Sequence, residues 1–329
     1  MKRLVSEALE GTSPQVEIHS VTEDEEPGIW RTIRGSITGP SIMDSDEPGG
    51  PASRDAEGNL QLNGEVRFPF TAQIPDTVKA SFNPGAVLQF GHGFFGSRAE
   101  AQDSPARTIA SQSESVLFAI DWWGMSNPDR TLLIEDLTTA PSQALRFGQR
   151  VYQAMANWMT LNQALETSLM SEAVFTRPMA TDAEGVVESA NGTRTNAGNL
   201  VYDPAQLHFL GISQGAVLGT TYTAITPKVS RSILNVGGAG LTHMIFRSNP
   251  LGPFILLMQL TFPDPLDQQK FVATLQSPAD RFDPSGFASL LKSRIAEESQ
   301  HVLMQVALGD TQVPNWSSFL NARIAGLHL

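Results

Sequence analysis

Cysteine is absent from the 329 residues. Its absence rules out a disulfide, a thiolate nucleophile and a cysteine-ligated metal, and leaves the redox compartment unmarked. Histidine is scarce at six residues, and no His-x-x-x-His spacing or carboxylate cluster accompanies them. Metal-dependent hydrolysis is therefore disfavoured, and no cofactor is expected. Basic residues are the minority charge, 22 against 34 acidic ones, and the net charge of −12 argues against nucleic acid or an anionic membrane surface as a partner. Long apolar runs are missing as well. Phe254–Met258 and its flanks are broken by Asn249, Pro250, Gly252 and Pro253, well short of the roughly 20 residues that span a bilayer. Met1-Lys2-Arg3-Leu4 opens like an export signal, but Glu7 and Glu10 interrupt the apolar segment such a signal needs. The expectation is a soluble chain, cytoplasmic, or secreted if an export segment stands upstream.

What is present is the composition of a globular enzyme-sized chain, 41% hydrophobic and 17% charged, long enough to bury one substantial core. Three short patterns carry chemistry. Gln206–Ala216 reads as an apolar strand running into Gly211-Ile212-Ser213-Gln214-Gly215, a G-x-S-x-G turn in which a strand bends sharply into a helix. The flanking glycines have a steric task there, because a Cβ at either would meet the neighbouring chain. Ser213 is thus a candidate nucleophile. Upstream, Gly85–Phe90 reads as a strand ending in Gly91-His92-Gly93-Phe94-Phe95-Gly96, a loop that can aim a backbone N–H at an oxygen becoming negative. The two donors acyl transfer needs map to Phe94 and Gln214. Downstream, His301–Asp310 reads as a strand delivering Asp310 at its carboxyl end. Each pattern alone has an ordinary alternative as a turn, and their order along the chain outweighs those separate alternatives.

Together these residues resemble a serine hydrolase of the α/β-hydrolase superfamily, of the lipase and esterase kind, over residues 66–329. Val116–Ser126 is similar to the strand and Gly-containing turn that such enzymes place beside the oxyanion loop. The resemblance implies an α/β fold with a mostly parallel central sheet flanked by helices and an inserted helical cap. It implies Ser213 as nucleophile, Phe94 and Gln214 as oxyanion donors and Asp310 as the acid. The expected domain layout is an N-terminal extension over 1–65 packed on the sheet, a core over 66–242 and 299–329, and a helical cap over 243–298. His92 is expected to brace the loop rather than act as base. With Phe95, Trp122, Trp123, Phe254 and Met258 it should border a substrate pocket.

The histidine base departs from the pattern. Only His328 follows Asp310, yet Trp316–Gly326 reads as a helix that carries the chain about 16 Å away from the carboxyl edge of the sheet. The expectation is that His328 is not the base and that the last strand and its histidine lie beyond Leu329. His208 and His301 fall within strands, and His243 follows the strand after the nucleophile helix.

The function implied is hydrolysis of a small carboxylic ester through an acyl-enzyme on Ser213, impaired if the base is missing. The alternatives are a non-catalytic domain of the same shape binding an acyl or hydrophobic ligand, or an acyltransferase. The sequence permits a homo-oligomer. Residues 176–200 read as an excursion before the nucleophile strand, and Asn191-Gly192-Thr193 in it fits a glycosylation sequon.

Overall fold

Apolar runs buried on both sides dictate the centre of the molecule. In the computed structural model, which describes residues 1–81, 83–143, 146–177, 187–188, 194–195 and 200–328, eight strands form one sheet. They are β1 (Gln15–Glu26), β2 (Ile29–Pro40), β3 (Glu65–Pro75), β4 (Gly85–Gly91), β5 (Ser115–Ile120), β6 (Tyr202–Ile212), β7 (Val229–Asn235) and β8 (His301–Gln305). Their spatial order is β1-β2-β3-β5-β4-β6-β7-β8. Pairing is antiparallel from β1 to β5 and parallel from β5 to β8. The sequon lies outside the described residues.

Every residue of β5 is buried, and its side chains divide between two layers. Val116, Phe118 and Ile120 join the larger core with Trp122, Trp158, Phe209 and Tyr222, whereas Leu117 and Ala119 meet Leu88, Phe90, Ala106 and Leu210 on the opposite face. Such two-sided burial is what a central parallel strand requires. Helix α1 (Lys2–Leu9) opens the chain, and α2 (Ser104–Gln112) follows the loop after β4. Next come α3 (Asn127–Thr139), α4 (Phe147–Glu166), which is buried along most of its length, and α5 (Gln214–Ile225), buried throughout. A polar knot lies inside this apolar packing. Gln89 donates to Asn162 at 2.6 Å, and the Tyr222 hydroxyl sits 2.8 Å from Gln89 Oε1 and 3.0 Å from Asn162 Oδ1. Buried polar groups persist only when paired in this way.

Residues 1–65 supply two strands of the sheet itself rather than an extension packed on it. β1 and β2 are long strands that extend it antiparallel to β3, with Ile33 and Ile37 fully buried. Between β7 and β8 the chain forms α6 (Leu241–Ile245), α7 (Gly252–Thr261), α8 (Pro265–Ala279) and α9 (Ala288–Ala296), and α10 (Asn315–Ile324) follows β8. The helix expected over Trp316–Gly326 is therefore present with slightly different ends. The strand expected over His301–Asp310 is shorter than the pattern suggests. It stops at Gln305, because Leu308 is 86% exposed and Gly309 turns the chain at φ 74°. The Asn315 side chain closes that turn, accepting from Gly309 N and donating to Ala307 O.

Candidate active site

Strand register builds the site. Gly91 pairs with Gly211 at the carboxyl ends of β4 and β6. The chain runs from β4 to β5 on one side and from β4's other neighbour β6 to β7 on the other, so the loops after β4 and β6 open into the crevice where parallel sheets bind ligands. Ser213 follows β6 and caps α5 at φ 55°, ψ −121°, a conformation that costs a non-glycine residue of order 1–3 kcal/mol. Its N–H donates to Asn235 O on β7 at 2.9 Å, and its own carbonyl accepts from Ala216 and Val217. The neighbouring glycines admit nothing larger. A Cβ on Gly215 would stand 2.1 Å from Gly91 O and 2.7 Å from His92 O, and one on Gly211 would stand 2.3 Å from Gly215 O. The strain is held by packing on both sides.

The loop over His92–Gly96 faces this turn. Gly93 N donates to Glu100 at 2.8 Å and Gly96 N to Gly93 O at 3.1 Å, while Phe95 takes φ 47°. Among the described residues, neither the Phe94 N–H nor the Gln214 N–H has a protein acceptor, and Ser213 Oγ has no hydrogen-bond partner. Phe94, Ser213 and Gln214 line one small cavity of about 70 Å³ with Met125, Leu241 and Val313. The structure thus brings the three residues of the elbow and loop together.

His92 takes no part in that cavity. It is fully buried, its Nδ1 lies 3.0 Å from Gly93 O, and its Nε2 accepts from Trp122 N–H at 2.8 Å. Accepting at Nε2 makes the ring a neutral Nδ1–H tautomer, and burial holds its pKa below the usual 6.5. Its two bonds join the loop after β4 to the turn after β5, and it lines neither the Ser213 cavity nor the apolar cavity beside it. Trp122 and Trp123 depart from expectation in the same way. The Trp122 ring packs 5.1 Å from Trp158 in the core, and Trp123 lies under the Arg150 guanidinium at 4.3 Å. Aromatic residues beside a site have the same composition as core, so sequence does not separate them.

The apolar pocket lies elsewhere. A second cavity of about 140 Å³ shares Phe94, Met125, Leu241 and Leu251 with the Ser213 cavity, and it runs between α3 and helices α7 and α8. Phe95, Phe254 and Met258 line it, together with Leu133, Leu137, Phe147, Leu275 and Ala279. Phe94, Phe95 and Phe254 form an aromatic cluster at its mouth, with centroids 4.8–6.2 Å apart. Leu133, Leu137 and Phe147 belong to helices whose apolar spacing reads as sheet cover, and nothing in their local sequence marks them as lining.

Asp310 stands in the turn after β8. Its Oδ1 accepts from Gln312 N at 2.7 Å and Val313 N at 3.0 Å. Among the described residues no histidine is hydrogen-bonded to Asp310 or to Ser213. The His243 ring lies edge-on to Trp316 at 5.3 Å, and His19 meets Ser36. Also among the described residues, no group of three or more His, Asp or Glu could hold a metal, and no helix is long and apolar enough to cross a membrane.

No protein-family model matches the sequence, and no curated protein matches it. Solved structures do match in shape. Acetyl xylan esterase 1 from Thermoanaerobacterium sp. JW/SL YS485 aligns at a TM-score of 0.56 and 13% identity, covering 98% of this chain and 82% of that one. The acetyl xylan esterase from Paenibacillus sp. R4 aligns at 0.53 and 14%, covering 98% and 83%. Identities this low speak for shape alone. A mostly parallel eight-stranded sheet flanked by helices, with a sharp strand-to-helix turn at its carboxyl edge, gives this chain the α/β-hydrolase fold.

Proposed function

We propose that the chain is a serine carboxylic ester hydrolase acting through an acyl-enzyme on Ser213. The observation that carries this reading is the strained Ser213, its Oγ free and facing a cavity shared with two uncommitted N–H donors. Strain is kept in a folded chain where packing over-determines it, and functional sites are where it collects. Ser213 Oγ would attack the ester carbonyl and lose its proton to a base. The carbonyl oxygen would become an oxyanion accepting from Phe94 N–H and Gln214 N–H, and the alcohol would leave with a proton. Water would then release the acid. Esters with an apolar acyl group suit the cavity lined by Phe254, Met258 and Leu275, and the acetyl esters of the two similar structures belong to the same class of bond. Helices α6–α9 would form the cap, and Asp310 would serve as the acid that orients the base.

Because no histidine among the described residues is bonded to Ser213 or Asp310, deacylation is the slow step. It needs the base a second time, and water is the weaker nucleophile. The same observation favours the second reading, a non-catalytic domain that binds an acyl ligand in this pocket. Pre-steady-state release of p-nitrophenol from p-nitrophenyl butyrate, beside Ser213→Ala, separates them. A burst stoichiometric with protein and absent in Ser213→Ala supports acylation. Equal traces from the two proteins would leave only the binding reading. Sustained turnover would mean that a working base is present.

A further inference from the structure

The side chain of Gln214 joins three segments that are far apart in sequence. Its Oε1 accepts from Phe95 N–H at 3.2 Å, and its Nε2 donates to Met125 O at 2.7 Å. Its backbone begins α5 directly after Ser213. The residue is 5% exposed, so neither of these bonds is exchanged for water in the folded protein at low cost. We propose that the Gln214 amide is a positioning group for the oxyanion donors, an inference that rests on the ester hydrolase reading above.

Both ends of this clamp need holding. Phe95 has φ 47°, a conformation an L-residue rarely adopts. The peptide between Phe94 and Phe95 carries the Phe95 N–H, so fixing that N–H fixes the plane of the peptide following Phe94 and limits rotation of the Phe94 N–H beside it. The other end is anchored in depth. Met125 N donates to Trp122 O at 2.9 Å, and the turn is gripped by Asp129, which accepts from Gly124 N at 2.9 Å and from Ser126 Oγ at 2.7 Å. Asp129 is itself paired with buried Arg150. The Asp129–Arg150 pair is therefore linked to Phe95 through the backbone of the Gly124–Ser126 turn, the Met125 carbonyl and the Gln214 amide. One residue supplies one donor of the oxyanion hole from its backbone and sets the other from its side chain, so the spacing of the two donors is tied to a single position.

The amide is the side chain that fits. Glutamate keeps the shape and the acceptor but loses the donor to Met125 O, and it places a buried charge against a carbonyl. Methionine keeps the volume and loses both bonds. Geometry of this kind acts on the transition state, where the oxyanion exists, and little on the bound ester.

The test uses the full chain and compares wild type, Gln214→Met, Gln214→Glu and Ser213→Ala. It measures the limiting rate of the p-nitrophenol burst and the p-nitrophenyl butyrate concentration that half-saturates that rate, the affinity for phenylboronic acid, whose adduct on Ser213 resembles the tetrahedral intermediate, and Tm. For both Gln214 variants the expected result is an acylation rate about 10- to 100-fold slower, set against the 10²–10³ lost with an entire donor. The concentration that half-saturates the burst rate should stay within about twofold, and boronate affinity should fall in step with the rate. A purely structural role would lower Tm and leave the rate per folded molecule and the boronate affinity unchanged, which overturns the inference. If one variant fails to fold, the other decides. Wild type no faster than Ser213→Ala would overturn the hydrolase reading and the clamp together, whereas an active wild type matched within twofold by the variants would overturn the clamp alone.

Discussion

The turn that carries Ser213 and the turn that carries Asp310 both leave the carboxyl ends of parallel strands, and they are built in opposite ways. Ser213 follows β6 between β4 and β7, its backbone strained, with Gly215 pressed against the end of β4 and Gly211 against the start of α5. Asp310 follows the edge strand β8, and one oxygen of its carboxylate accepts from two backbone N–H groups of its own turn. The first turn is fixed by close contact from outside itself. The second is fixed by local hydrogen bonds. Position is therefore dictated tightly on one side of the crevice and loosely on the other.

The contrast can be broken most forcefully at its support. Arg150→Ala would leave Asp129 buried and unpaired beneath the Met125 turn. It should cost about 3–5 kcal/mol, read as a lower urea midpoint with unchanged slope. A loss under about 1 kcal/mol would show that the anchor is not needed. Next comes Gly215→Ala, whose methyl meets Gly91 O and His92 O. About 3 kcal/mol is expected from overpacking that backbone atoms do not relieve, against less than about 0.5 kcal/mol for Asp310→Asn, measured in the same denaturation series. Equal effects at the two sites would erase the contrast. Ser213→Gly sharpens it from the other direction. Glycine accepts φ 55° freely, so stability should rise by about 1 kcal/mol while acylation disappears.

The smallest effect concerns His92. Burial lowers its pKa in the folded chain, so between that value and 6.5 the unfolded state binds more protons. Stability contributed by the neutral ring is complete above 6.5 and declines as pH falls toward the lowered value. His92→Gln should flatten the loss of stability below pH 6.5 in parallel urea titrations of the two proteins. Identical slopes would mean that the ring titrates as it does in water.

How much of this was legible in the sequence follows the same division. Gly211, Ser213 and Gly215 announce themselves because sterics leave few alternatives at those positions, and the strands around them are apolar on both faces. A helix over Trp316–Gly326 and a helical run between β7 and β8 are both read from the sequence, the second as the cap that the resemblance implies, and both helical stretches are present. The end of β8 was not legible, since Val306, Ala307 and Leu308 continue an apolar pattern that Gly309 and Asn315 override by closing a turn. Trp122 and Trp123 misled for a related reason. A tryptophan next to a site and a tryptophan behind it satisfy the same hydrophobic rule, and only the packing against Trp158 and Arg150 decides which is which. The lining supplied by Leu133, Leu137 and Phe147 came from helices that sequence assigns to sheet cover, because a pocket wall is a property of what stands opposite.

The pairing of Gly91 with Gly211 bears on the order in which the molecule forms. Strands β4 and β6 are adjacent in space but separated in the chain by α2, β5, α3 and α4. Their union closes a long loop, and contacts of that kind are slow to form because the entropy of closure comes due before the contacts reward it. An intermediate holding β1, β2 and β3 in their hairpin pairs could carry much of the antiparallel half of the sheet and still have no crevice. Hydrogen exchange during refolding should then protect the amides of Ile33 and Phe70 before those of Leu88 and Leu210, and the capacity to be acylated should arrive with the second pair.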